Sequence, residues 1–451
     1  MFDLKVLNNL TQRLLNKGLA FILNIIILCV LLWLKFSSID EFNRIFGNLE
    51  LLIRNISPLI LIGAPIIFGN KLANRVIFVL LVSIFLLAEV LLRVGVLDSL
   101  IAKRWDNSEV YRYPKPFVEF LGKPNSSMFF QPYMEMGGSR EDATITLNEL
   151  GFRGEIPSLP KGNEFRIIIL GGSTVFNGIP LSKSIPGELE QLFHNDGFSE
   201  VKVYNWGVVS FNSGQELSLL VHSVADFNPD LVIVYDGAND IYHSYVFEPR
   251  PGYPYNWQTY ETGLSLIRNG PSLSQIVNLL LLKSRLVTSV FGESLKTRIV
   301  QSTRHDLTIQ TPASIQVTSQ AYISNVKKMC NFSKGNDFKL AAILQPMIIF
   351  KNPLIGNEKN LVGNEEIQSY VMKSYQILEK EFESLARNPE NKNQCYYANL
   401  SKIFSDFDKE TYWDFVHTDN DGNKYIATQI YNGIKNQFNA LGLSQNRRKQ
   451  L

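Results

Sequence analysis

Apolar positions crowd the first hundred residues in long runs, then break into short clusters separated by polar stretches. Leu19–Leu34 is apolar except for Asn24. Ile56–Phe68 is apolar apart from Ser57 and contains Pro58, Gly63 and Pro65. Val76–Ala88 is interrupted only by Ser83, and the pattern continues to Leu97 around Glu89 and Arg93. A helix needs about 20 mostly apolar residues to cross the hydrocarbon. The first and third runs approach this length if Lys35 and Arg93 snorkel. For the second, proline-broken run a re-entrant hairpin is the alternative to a span. A cleaved signal peptide is the alternative for the first run, but no small-x-small site follows it and two more apolar runs do. Residues 1–98 are therefore expected to form a membrane anchor of three transmembrane helices.

Lys5, Arg13 and Lys17 precede the first run, and Lys71 and Arg75 lie between the second and third. Both placements favour the cytoplasmic side, so three spans put everything after Asp98 outside the cytoplasm. Arg93, Lys103 and Arg104 oppose this mildly, and two spans would reverse it. Glu89 and Arg93 stand four apart in the favourable acid-first order. An ion pair on one helix face accounts for them, the alternative being a polar site within the membrane.

Residues 99–164 read as a linker and lead-in rich in proline, glycine and aromatics. Within them the turn-like NELGFRG, Asn148–Gly154, packs Phe152, and substrate contact through Arg153 is the alternative. From Phe165 the period changes. Short near-continuous apolar runs at Arg166–Leu170, Val201–Asn205, Leu231–Tyr235, Lys339–Leu344 and Cys395–Asn399 predict parallel strands covered on both faces. Helices are expected between them at Ser184–His194, Gln215–Phe227, Thr318–Phe332, Gln368–Ala386 and Asn423–Leu441. This alternation predicts an α/β fold, a three-layer parallel sheet over 165–445. Residues 245–317 interrupt it as an insertion, a lid, a membrane-facing cap or a plain helical excursion.

The formal net charge of +2 and the lack of a basic stripe with interleaved aromatics argue against nucleic acid as a partner. Cys29, Cys330 and Cys395 show no metal-ligand spacing. Cys330 and Cys395 are able to pair only in an oxidising compartment, which spacing does not decide. No metal or cofactor is called for.

Four short blocks carry chemistry. Gly171-Gly172-Ser173-Thr174 follows the first strand, where a serine hydroxyl is exposed at the sheet edge. It lacks the lysine of a phosphate-binding loop and the spacing of a dinucleotide fingerprint. Asn205-Trp-Gly-Val-Val-Ser210 follows the second strand and Asp236-Gly-Ala-Asn239-Asp240 the third. The Asn239 amide and backbone N–H groups there are able to receive an oxyanion, while turn-forming asparagine is the plainer alternative. The last block is Asp414-Phe-Val-His417. Its spacing sets a carboxylate against one imidazole nitrogen and leaves the other free to take a proton from serine. A helix cap followed by an incidental histidine is the alternative.

In this order the blocks resemble the SGNH (GDSL-like) hydrolase superfamily over about residues 165–440. The resemblance implies a flavodoxin-like sheet and a serine esterase or acyl transferase. It matches Ser173 to the nucleophile, His417 to the general base, Asp414 to its orienting carboxylate and Asn239 to a side-chain oxyanion donor. Backbone donors fall on Ser173 and on Ser210 or Gly207. Two departures stand out: Gly172 where many members have aspartate, and Ser210 where the pattern has glycine. An envelope location implies an acyl-ester substrate such as an O-acetylated polysaccharide or a lipid. A non-catalytic glycan-binding module on the same fold is the reading from a different class.

Overall fold

In the computed structural model, residues 83–92, 108–129, 144–285, 313–391 and 393–437 are described, with parts of 287–299. They fall in two compact units. One is drawn from Met1–Arg104 and Thr262–Asp306, the other from Trp105–Glu261 and Leu307–Leu451. The second unit holds all four blocks. The first two apolar runs lie outside the described residues, as does most of the third. Among the described residues no helix is long and apolar enough to cross a membrane.

The second unit is built on five parallel strands: β1 (Phe165–Gly171), β2 (Val201–Gly207), β3 (Leu231–Asp236), β4 (Lys339–Leu344) and β5 (Cys395–Asn399). Their spatial order is β2-β1-β3-β4-β5, all in parallel register. This is the flavodoxin-like order, in which ligands bind beyond the carboxyl ends of the strands where the winding direction reverses, here between β1 and β3. Every residue of β3 is buried, as expected of a strand covered on both faces.

The helices that follow are α1 (Ser173–Phe176), α2 (Ile185–Asn195), α3 (Ser213–His222) and α4 (Ala238–Val246). After the insertion, whose helices are α5 (Trp257–Asn269) and α6 (Leu273–Leu281), come α7 (Ile315–Lys334), α8 (Glu365–Arg387) and α9 (Asn420–Gln437). Local sequence sets their starts. Ser184 accepts from the Gly187 N–H ahead of α2, and Asn212 with Gln215 forms a reciprocal capping box for α3. The helix expected over Gln215–Phe227 stops at His222, and Val224–Phe227 is a separate 3-10 turn ending in left-handed Asn228. The sheet divides the core. Ile168, Leu170, Val232 and Val234 face one layer with α3, α7 and α8; Ile167, Ile169, Leu231 and Ile233 face the other with α2 and α9.

The lead-in is folded. Phe152 stacks on Trp206 of β2 at 4.3 Å between ring centres, and Arg153 makes isolated bridges to Leu147 and Asn205. Cys330 of α7 and Cys395 of β5 form a disulfide, their Cα atoms 6.0 Å apart. Spacing left that pairing open because it depends on how α7, packed on β4 and α8, brings Cys330 up to the edge strand.

Candidate active site

Asp414, Phe415, Val416 and His417 form a tight turn just before α9. Asp414 Oδ1 accepts from the backbone N–H groups of Val416 (2.8 Å) and His417 (2.7 Å), while Oδ2 lies 2.6 Å from His417 Nδ1. Burial alone pushes the Asp414 carboxyl up, but the imidazole and the backbone donors outweigh it and hold the group below its ordinary value. An ionised carboxylate only accepts, so Nδ1 carries the ring proton and Nε2 presents a lone pair. The Trp413 indole lies flat on the imidazole, 4.6 Å between centres, and fixes its plane. Phe415 stacks on Tyr242 of α4 at 4.1 Å, and its carbonyl accepts from Ile348 N–H.

Ser173 opens α1, half-buried at the end of β1. Only one turn of helix follows, so the hydroxyl has a few individual N–H groups behind it and no long helix dipole. Three asparagines tie the histidine turn to the chain after Ser173. Asn177 Nδ2 donates to Thr418 O (3.0 Å), Asn420 Nδ2 to Ile179 O (3.1 Å) and Asn423 Nδ2 to Lys183 O (3.1 Å). The Ser173 hydroxyl and His417 Nε2 both lack a hydrogen-bond partner among the described residues.

Asn239 sits in the first turn of α4. Its Nδ2 donates to Phe211 O (2.7 Å), leaving its second hydrogen for another acceptor. That amide lies so near Gly172 that a Cβ there would stand 2.5 Å from Nδ2. A glycine where the resembled pattern has aspartate thus makes room for the Asn239 amide. Ser210 has φ 65°, the left-handed conformation that glycine adopts without strain, so the substitution keeps the backbone shape of the pattern. Its N–H has no partner among the described residues. Gly207 behaves differently. Its N–H already donates to Asn205 Oδ1 (3.1 Å), and a Cβ there would lie 2.6 Å from Phe176 N. It is a close-packing position, and Ser210 is the residue of that block with an available donor.

Other residues prop these groups up, a role that no sequence signal marks. Arg153 is buried and donates to the Phe176 carbonyl at the end of α1, its guanidinium over the Phe176 ring at 5.4 Å. Burial lowers its pKa to about 10. Asp240 accepts from the backbone N–H (3.0 Å) and the hydroxyl (2.5 Å) of Ser213, locking the Asn239 turn to α3. Asp236 accepts from Tyr322 (2.6 Å), and Glu216 is fully buried nearby. Burial is the main reason all three carboxyls are raised, Asp240 to about 7, with mutual repulsion adding for Glu216 and Asp240. A recess of about 90 Å³ opens beside the histidine turn, lined by Tyr242, Met347, Ile348, Val371 and Phe415 among others, mostly apolar. Among the described residues no His/Cys/Asp/Glu group is arranged to hold a metal.

No protein-family model matches the chain, and no curated protein matches it. Solved structures similar to it include an acetyl xylan esterase, 13% identical, covering 59% of this chain and 99% of its own, with a TM-score of 0.35. Another is a GDSL-like lipase from Bacteroides thetaiotaomicron, 13% identical over 63% of this chain and 91% of its own, TM-score 0.33. A third is a catalytic mutant of an acetylxylan esterase from Geobacillus stearothermophilus, 10% identical over 60% and 95%, TM-score 0.35. Likenesses this distant assign no activity to this chain.

Proposed function

We propose that the chain is a membrane-anchored serine esterase that removes acyl groups, O-acetyl among them, from an envelope glycan or lipid. The observation that carries this reading is the Asp414–His417 pair, at 2.6 Å, with Nε2 unpaired. It lies on a turn stitched by Asn177, Asn420 and Asn423 to the segment after Ser173.

In the proposed reaction His417 Nε2 takes the Ser173 proton as Oγ attacks the ester carbonyl carbon. Asp414 holds the ring tautomer and stabilises the imidazolium. The Ser173 and Ser210 N–H groups and the Asn239 amide receive the oxyanion, each such donor typically supplying about 3–4 kcal/mol of transition-state stabilisation. Imidazolium then protonates the leaving alcohol, leaving an acyl-Ser173 ester. Water, deprotonated by His417, releases the acid. The apolar recess beside Phe415 is where the acyl chain would lie. No step requires a metal. The Cys330–Cys395 bridge favours an oxidising compartment, which agrees with an extracytoplasmic catalytic unit.

A fluorophosphonate probe tests the reading. Wild type is expected to label at Ser173 and to hydrolyse a chromogenic acetyl ester, and Ser173→Ala to do neither. Full esterase activity in Ser173→Ala refutes the nucleophile assignment. Chasing the acyl group into acetate or onto a sugar separates hydrolysis from transfer.

A further inference from the structure

Among the described residues of the unit drawn from Met1–Arg104 and Thr262–Asp306, several polar side chains are buried while most of the large apolar ones on its helices stand exposed, Leu92, Leu295 and Ile299 being buried exceptions. In the helical residues 83–92, Glu89 is fully buried while Ile84 and Leu87 are 62% and 60% exposed. Glu89 accepts from Ser284 Oγ (2.9 Å) and from the Arg285 backbone N–H (2.8 Å), so the carboxylate turns toward the insertion rather than toward water. The ion pair with Arg93 expected from spacing falls on a residue outside the described ones.

The insertion repeats the inversion. In α5 the polar Thr262 is buried and Leu264 and Ile267 are exposed. In α6 Gln275 is buried, while Leu273, Ile276, Val277 and Leu281 stand out along one stripe at helical spacing. Ten of the nineteen large apolar side chains left exposed among the described residues belong to this unit. In water such a surface would be driven together, and polar groups would turn outward. Apolar faces outside with hydrogen-bonded polar groups inside is the arrangement a protein takes in lipid.

We propose that helices α5 and α6 of the insertion dock into a phospholipid bilayer. The occupant follows from continuity. The helix bearing Ile84 and Leu87 is the end of the third apolar run, and its Glu89 clamps the insertion at Ser284 and Arg285. Ile84 and Leu87 share one compact unit with α6 and the second half of α5, so the solvent that meets their exposed side chains is inferred to meet the exposed stripe of the insertion as well. α5 has 13 residues and α6 nine, about 20 Å and about 13 Å long. Neither crosses about 30 Å of hydrocarbon, so the pair enters one leaflet, with exposed Arg268 suited to lipid phosphates. The proposal adds a second lipid contact to the anchor and is independent of the esterase chemistry.

The test uses the full chain with Cys29→Ser, carrying one of Ile267→Cys, Leu273→Cys, Val277→Cys or, as a control on α8 of the other unit, Met372→Cys. Each is labelled with an environment-sensitive fluorophore and reconstituted in phosphatidylcholine–phosphatidylglycerol vesicles. Brominated lipid chains are expected to quench the first three labels several-fold more than the control, and aqueous iodide the reverse. A chain that floats with the vesicles while iodide quenches positions 267, 273 and 277 like the control overturns this inference and leaves the anchor standing. Protection from both quenchers means another protein covers the face and also overturns it. A chain that does not float with vesicles overturns anchor and docking together. Ester hydrolysis, measured in parallel, reports on the active site alone.

Discussion

Asp414→Asn separates what the carboxylate does for the fold from what it does for chemistry. In the native turn Oδ1 holds two backbone N–H groups at 2.7 and 2.8 Å, and Oδ2 holds His417 Nδ1 at 2.6 Å. Asparagine keeps the first pair, because its carbonyl still accepts. Its NH2 then faces Nδ1, which must become the acceptor, so the ring proton moves to Nε2. A protonated Nε2 cannot take the Ser173 proton. In serine hydrolases built this way the wrong tautomer lowers kcat by about 10⁴. At about 1.36 kcal/mol per tenfold, that is roughly 5.5 kcal/mol of lost transition-state stabilisation. The turn should survive, so the melting temperature should scarcely change. Asp414→Ala, which also strands two N–H groups, should in addition cost about 1–3 kcal/mol of stability. The assay is kcat/KM on a chromogenic acetyl ester beside a thermal melt of each variant. If Asp414→Asn keeps activity within tenfold of wild type while folded, the imidazole is not oriented as argued and the general-base role fails.

Gly172→Ala would place a Cβ 2.5 Å from Asn239 Nδ2 and should swing that amide away, lowering kcat by about 10²–10³ with little change in KM. On an Asn239→Ala background the same change should cost nothing further in a steady-state assay. Arg153→Met removes the buried donor to the Phe176 carbonyl and should cost about 1.5–3 kcal/mol in urea unfolding, lowering activity as α1 loosens. Burial raises Glu216, Asp236 and Asp240, so the native state holds protons that the unfolded chain releases. These groups should make stability fall as pH rises from about 4 toward 7. Glu216→Gln should flatten that fall in a urea-midpoint series, and an unchanged slope would contradict the burial argument.

The sheet was legible because buried parallel strands announce themselves. FRIIILG and LVIVYD are apolar without alternation, and glycine or asparagine follows each at the edge where ligands gather. The histidine turn was legible because Asp414 and His417 interact locally, three residues apart. What could not be read depends on approach between distant segments. Nothing near Gly172 announces the Asn239 amide 67 positions away, and nothing near Gly207 says that Asn205 occupies its N–H. Arg153 looked like a turn residue because its acceptor, the Phe176 carbonyl, is backbone and carries no sequence signal. The insertion looked like one excursion, whereas its residues up to Glu261 group with the sheet and those from Thr262 with the N-terminal segment.

The bridge between Cys330 and Cys395 fastens the outermost strand of the sheet to α7, the helix packed on the neighbouring strand β4. Closing a 65-residue separation, it restrains the unfolded chain by about 4 kcal/mol on the chain-entropy account. An outermost strand is also a row of open peptide groups that invites a stranger's backbone to add on. With β5 riveted at its first residue, that border cannot fray to recruit a neighbouring molecule. The riveted strand also leads directly into the segment that delivers Asp414 and His417. A reductant should therefore weaken resistance to self-association and slacken the base together.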